Sequence, residues 1–204
     1  MMESKPKSRH LLNNKGYSLV EMIIVIAIIA VMTGVATVTV TLINSARAKE
    51  AAVTFTSELS DVSSKAKNQM VVMEDASGNK VKYPSYSYCL KIYKEGGKNY
   101  IKKGYYNPDG TSDATKYIFI DSENNNGGRG ISLSSRIEIK YTDSTGVEKT
   151  ISNTAGSSSV KEVYIVFDRT GRCILGDGDY NFYKTNSSLV ATVRLKKNGS
   201  YQTD

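Results

Sequence analysis

The chain has 204 residues, with 27 Lys and Arg against 20 Asp and Glu, a formal charge of +7. A hydrophobic content of 40% and a mean hydropathy of −0.33 exclude a polytopic membrane protein and wholesale disorder. The one histidine, His10, sits in the first ten residues, and a chain that loses them has no part for a His-based triad, a Cys–His dyad or His-ligated zinc. With Trp absent and two Cys, no cofactor is expected, and the composition leans away from an enzyme.

Residues 1–16 carry Lys5, Lys7, Arg9 and Lys15 against Glu3. The apolar stretch Met22–Ile43 follows, about 33 Å long as a helix against roughly 30 Å of bilayer hydrocarbon. Positive charge ahead of such a helix predicts a single membrane pass, with the N-terminus in the cytoplasm and the rest exported. A secretory signal would share the basic start, and Ala46-Arg47-Ala48 imitates its cleavage site. Its apolar region would, however, be about twice the usual length. A plain signal anchor fits the length but leaves Glu21 without a reason, since a lone carboxylate there costs on the order of 2–3 kcal/mol unless it meets a partner.

The local order is Gly16-Tyr17-Ser18-Leu19-Val20-Glu21, then the unbroken run Met22-Ile23-Ile24-Val25-Ile26-Ala27-Ile28-Ile29-Ala30. This resembles the type III signal of type IV pilins and type II secretion pseudopilins. The resemblance covers about residues 15–45, with Tyr17 where Phe is commoner. It implies cleavage after Gly16 by prepilin peptidase, methylation of the new amine on Tyr17, and pairing of Glu21 with the amine of an adjacent subunit as a filament grows. Glu21 would lie one helical turn from that amine, and pairing relieves two poorly solvated charges together.

Beyond the apolar stretch, Ala52, Phe55, Leu59, Val62, Ala66, Met70 and Met73 recur at spacings of three or four, defining one stripe. No proline interrupts residues 17–75, so one continuous helix is expected there, apolar in its first half and packed on a head in its second. Gly34 and Thr37-Val38-Thr39-Val40-Thr41 are poor helix formers, and the helix is expected to be weakest there. After the break at 76–79, strands are expected at Tyr86–Ile92, Tyr100–Tyr106, Lys116–Asp121, Arg136–Tyr141, Val147–Ile151, Glu162–Asp168, Arg172–Leu175 and Leu189–Leu195. The turns Glu95-Gly96-Gly97, Asn107-Pro108-Asp109-Gly110, Asp143–Gly146 and Asp168–Gly171 suit antiparallel hairpins. The expected fold is α+β, a long N-terminal helix on an antiparallel sheet, as in pilin heads. Its organisation would be a leader at 1–16, a membrane or filament-core helix at 17–44, the amphipathic half of the same helix at 45–75, and a β-rich head at 76–204.

Within the head, Asp177, Asp179 and Asn181 have the alternate-oxygen spacing of calcium loops, and some major pseudopilins bind calcium near their C-terminus. Phe182 stands where an EF-hand needs glycine and Ser188 where it needs glutamate, which favours an ordinary polar turn. Cys89 and Cys173, on separate expected strands of an exported domain, permit a disulfide, with two free thiols as the alternative. Fourteen Tyr suggest stacking on carbohydrate or nucleic acid, but Tyr is equally a common strand residue. Arg194, Lys196 and Lys197 are placed to touch DNA phosphates, as in some competence pilins, although they read more simply as a solvated tail.

The resemblance implies a structural subunit of a type IV pilus or type II secretion-like pseudopilus, held in the membrane and then assembled into an extracellular or periplasmic filament for adhesion, motility, secretion or DNA uptake. Its partners would be like or unlike pilin subunits, prepilin peptidase, a membrane assembly platform and, before assembly, the lipid bilayer. A minor competence pilin that binds DNA is the alternative. A membrane-anchored surface enzyme is disfavoured by the missing histidine and the lack of a paired-carboxylate motif.

Overall fold

In the computed structural model, which describes residues 18–75, 77–184 and 188–204, the proline-free run after Ser18 forms a single helix, α1 (Leu19–Asn68). The chain divides into two units, Met1–Thr41 and Leu42–Asp204. In the first unit, every described residue is exposed. In the second, α1 buries Ala48, Ala51, Ala52, Phe55, Leu59, Val62, Ser63 and Ala66, the stripe expected from the spacing. Small alanines open the stripe and let sheets approach the backbone, and larger side chains fill the space further along.

Among the described residues fourteen short strands follow: β1 (Val71–Glu74), β2 (Lys80–Tyr83), β3 (Ser87–Glu95), β4 (Lys98–Tyr106), β5 (Tyr117–Ile118), β6 (Ile131–Ser132), β7 (Ile137–Asp143), β8 (Glu148–Ile151), β9 (Ser159–Val160), β10 (Glu162–Phe167), β11 (Cys173–Leu175), β12 (Gly178–Lys184), β13 (Leu189–Leu195) and β14 (Tyr201–Thr203). A four-residue helix, α2 (Asp113–Lys116), and a 3-10 turn at Asp121–Glu123 lie between β4 and β6. Strands β1 and β2 form a hairpin of their own. One six-stranded sheet has the order β11-β10-β3-β4-β5, with β6 also on β4; the other runs β14-β13-β12-β7-β8-β9. All pairs are antiparallel except β8 with β9. The fold is α+β, a long helix followed by an antiparallel sheet-rich domain.

Alternation along the strands builds the core. Leu90, Ile92, Ile101, Val163, Ile165 and Phe167 come from the first sheet, and Ile137, Ile139, Ile151, Tyr180, Phe182, Val193 and Leu195 from the second. Both sets join the α1 stripe in one buried cluster. Phe55 is the joint: its ring lies 4.7 Å from Tyr180 and 5.8 Å from Phe182. The β3–β4 turn uses Gly96 and Gly97 at φ 55° and 78°, the left-handed pair that a two-residue hairpin demands. On the outer face of the first sheet, Tyr117 stacks on Tyr164 at 3.8 Å, and Lys91 sits 4.8 Å from the centre of the Phe119 ring. Gly104 makes room for this second layer, because a Cβ there would meet the Ile118 carbonyl and the Phe119 ring.

Three sequence expectations are corrected. The helix ends at Asn68, not at 75: Val71–Glu74 pairs with Lys80–Tyr83, so Met70 lies beyond the helix and Met73 on a strand. β-branched Val71 and Val72 favour that pairing, and Val71 is fully buried. The strand expected at Lys116–Asp121 shrinks to β5, between α2 and the 3-10 turn. Of the polar turn expected at Asp177–Asn181, Asp177 lies just before β12 and the other residues belong to it, the strand that joins β13 to β7.

Candidate assembly segment

Glu21 lies in the first turn of α1, where Met22 N–H donates to the Ser18 carbonyl at 3.1 Å. Gly16 and Tyr17, the expected cleavage and methylation positions, lie outside the described residues. From Ser18 to Ile43 every residue is exposed, including Leu19 at 76% and Leu42 at 65%. A contiguous apolar surface of this size is unfavourable in water and marks a membrane or protein partner. The helix is long and apolar enough to cross a bilayer. Its hydroxyls are turned back onto the backbone: Thr33 donates to Ile29 O at 2.7 Å, Thr37 to Gly34 O at 2.9 Å, Thr39 to Val35 O at 2.9 Å and Thr41 to Thr37 O at 3.1 Å. Such bonds leave no hydroxyl unsatisfied in an apolar medium, and they also loosen a helix slightly.

Residues 11–37 match the family described as the prokaryotic N-terminal methylation motif. The chain carries a type IV pilin and pseudopilin signal. No curated protein and no solved structure matches the chain. The matched residues run into the start of α1, the helix whose apolar length is enough to cross a membrane.

The head's own candidates are not brought together. Cys89 and Cys173 are both free and buried. Strand register accounts for the two free thiols, the alternative to the bridge that the sequence permits. Cys173 opposes Phe167, which opposes Tyr88, so Cys173 shares the core face. Cys89, next along β3, opposes Gly104 and Val166 on the other face. A bridge would have to pass through the sheet. Burial pushes both thiols up, Cys173 to about 12 and Cys89 higher still, which works against thiolate formation at either.

Of the calcium candidates, Asp179 and Asn181 already spend side-chain oxygens on neighbouring residues, and Asp177 accepts from the Tyr141 hydroxyl through its backbone carbonyl at 2.8 Å. Arg194 Nε donates to Asp179 Oδ1 at 3.2 Å, and Thr192 donates to Asn181 Oδ1 at 2.8 Å. Asp179 and Asn181 alternate along β12 with buried Tyr180 and Phe182, so the segment is extended and does not curl around an ion. Among the described residues, no cluster of three His, Cys, Asp or Glu could hold a metal. Arg194 also lies 3.7 Å from Asp204, which neutralises part of the basic tail considered for DNA.

Two charged arrangements escaped the sequence reading because residues far apart in the chain make them. Lys103 on β4 reaches α1, lying 2.9 Å from Glu58 and 3.0 Å from Asp61, which also pairs with Lys65. Burial works against the charge on Asp61, and the bonds from Lys103 and Lys65 overcome it, holding the carboxyl below its ordinary range. Lys103 is correspondingly raised by Glu58 and Asp61 against the same desolvation. The second is a cavity of about 440 Å³ between α1 and the loop Ser132–Arg136. Arg47, Lys98 and Arg136 line it with Glu50, Thr54 and Ser135. Positions 47, 98 and 136 have no sequence pattern in common.

Proposed function

We propose that this chain is a structural subunit of a type IV pilus or type II secretion-like pseudopilus. On this reading a prepilin peptidase cuts after Gly16, Tyr17 carries the methylated amine, and Glu21 pairs with the amine of a neighbouring subunit. Before assembly α1 anchors the protein in the bilayer with the leader in the cytoplasm; afterwards the same apolar surface packs in the filament core. The residues act by packing and charge pairing, and no catalytic step is assigned to them. The observation that carries the reading is the coincidence of the methylation motif at 11–37 with a helix whose apolar residues are exposed from Leu19 to Ile43.

Intact mass and N-terminal sequencing of the protein from its own cells test processing. A chain beginning at methylated Tyr17 is the expected result, and an intact Met1 or a start after Ala48 would overturn it. Assembly is tested with Glu21→Gln, which is isosteric but uncharged. The variant should be processed and membrane-held yet form no filament, and wild-type filament yield would refute the pairing role.

A further inference from the structure

The cavity beside α1 lies outside the residues matched by the methylation motif, and its chemistry is that of an anion site. Three cations and one carboxylate line it, so its lining is net cationic. Arg47 and Lys98 make no ion pair among the described residues, although carboxylates elsewhere in the head are regularly paired. Hydroxyls of Thr54 and Ser135 add neutral donors around the same space. The volume of about 440 Å³ exceeds what one ordered water or a lone halide would fill.

Its place on α1 points to the source of the anion. Leu42 and Ile43 are exposed apolar residues at the end of the membrane-length stretch, and Arg47 lies four positions further along the same helix. Four residues rise about 6 Å, which is the depth of the headgroup layer on one side of a bilayer. Arg47 therefore belongs at the level of lipid phosphates when Ile43 is at the edge of the hydrocarbon. Lys98, at the start of β4, and Arg136, just before β7, come to the same cavity from the head.

We propose that the cavity between α1 and the Ser132–Arg136 loop binds the phosphate of an anionic phospholipid, holding the head of the unassembled subunit against the outer surface of its membrane. Arg47, Lys98 and Arg136 meet the phosphate, and Glu50 accepts from the hydroxyls of a glycerol headgroup. Arg suits the planar, two-point recognition of phosphate, while Lys acts as a point charge. The inference rests on the membrane-held state proposed above, and it adds a lipid partner to that state.

The test uses the full processed chain reconstituted into vesicles of phosphatidylcholine alone, or of phosphatidylcholine with phosphatidylglycerol. Flotation reports anchorage, and the rate of Lys98 acetylation relative to exposed Lys80 and Lys82 on β2 reports the cavity. Phosphatidylglycerol should slow Lys98 selectively by roughly threefold or more, as a juxtamembrane cation held by a lipid phosphate would be. Arg136→Ala should remove that protection while the protein still floats. Failure to float in either vesicle would overturn the membrane-held state itself. Flotation with no selective protection of Lys98 would overturn the lipid site and leave anchorage standing. Equal protection in phosphatidylcholine by added inorganic phosphate would overturn the lipid assignment in favour of a free anion. Protection in phosphatidylcholine that vanishes on dilution of the protein would overturn it in favour of a carboxylate from a second copy.

Discussion

Cys89 shows how far a single residue's fate depends on the strand around it. Two cysteines in one domain invite a bridge, and only the register of β3 against β10 reveals that they face opposite sides of one sheet. The consequence can be measured. In the folded protein neither thiol should react with a maleimide at pH 8, both should react in urea, and reduction should leave the mass unchanged; a mass gain of two hydrogens on reduction would contradict the register. Lys103 offers a second test at this scale. Asp61 has a lowered folded pKa, so the stability it contributes is complete above its unfolded value of about 3.9 and is lost as pH falls through the folded one. Lys103 is raised, so its contribution holds below the ordinary lysine range and disappears above its own folded value. Replacing Lys103 by Met removes a main source of the Asp61 shift. The drop in urea midpoint between pH 7 and pH 3 should then be smaller in the variant than in the wild type. An unchanged acid slope would show that the ion pair is not formed in solution.

At the scale of elements, α1 does two different jobs along its length. Its second half is a core element: Phe55 has no exposed surface and touches rings from the second sheet. Phe55→Ala should cost about 3–5 kcal/mol in urea unfolding, because the three-way junction of helix and sheets cannot collapse into the space. A loss below about 1 kcal/mol would mean that the helix is not docked as described. The stretch Gly34–Thr41 is different, since it has helical geometry but low intrinsic propensity, and its threonines bond back to the preceding turn. Amide exchange of the assembled protein should be faster over 34–41 than over 48–66, and best protection at 34–41 would refute the assignment. The stripe from Ala52 to Ala66 was legible because burial on one helix face imposes its own period. The end of the helix was not. Met70 and Met73 keep the helical spacing, but β1 gains four paired residues with β2, and that partner lies outside any local window. The hairpins β3–β4, β7–β8 and β10–β11 could be read for the opposite reason: each carries its turn chemistry between its own strands.

For the whole molecule, the methylation motif was plain in the sequence because its residues are consecutive, whereas the cationic cavity and the Lys103 ion pairs were hidden because the fold assembles them from distant positions. Strand β12 falls between these cases. Its alternation of Asp179, Tyr180, Asn181 and Phe182 was present in the sequence, yet GDGD looks like a turn until β13 and β7 are placed on either side. The division of burial leads to the last prediction. Every buried hydrophobic residue from Ala48 to Leu195 belongs to the unit Leu42–Asp204, and the described residues before it are all exposed. Stability of that unit should therefore not require the apolar half of α1. A fragment spanning 42–204 should be soluble and monomeric, unfold in one cooperative transition, and remain in solution when mixed with phosphatidylcholine vesicles, because most of the apolar surface that favours a bilayer has been removed. Circular dichroism and sedimentation measure this directly. An aggregated or non-cooperative fragment would mean that the first half of α1 contributes to folding of the head, and that membrane or filament contacts are part of the native stability.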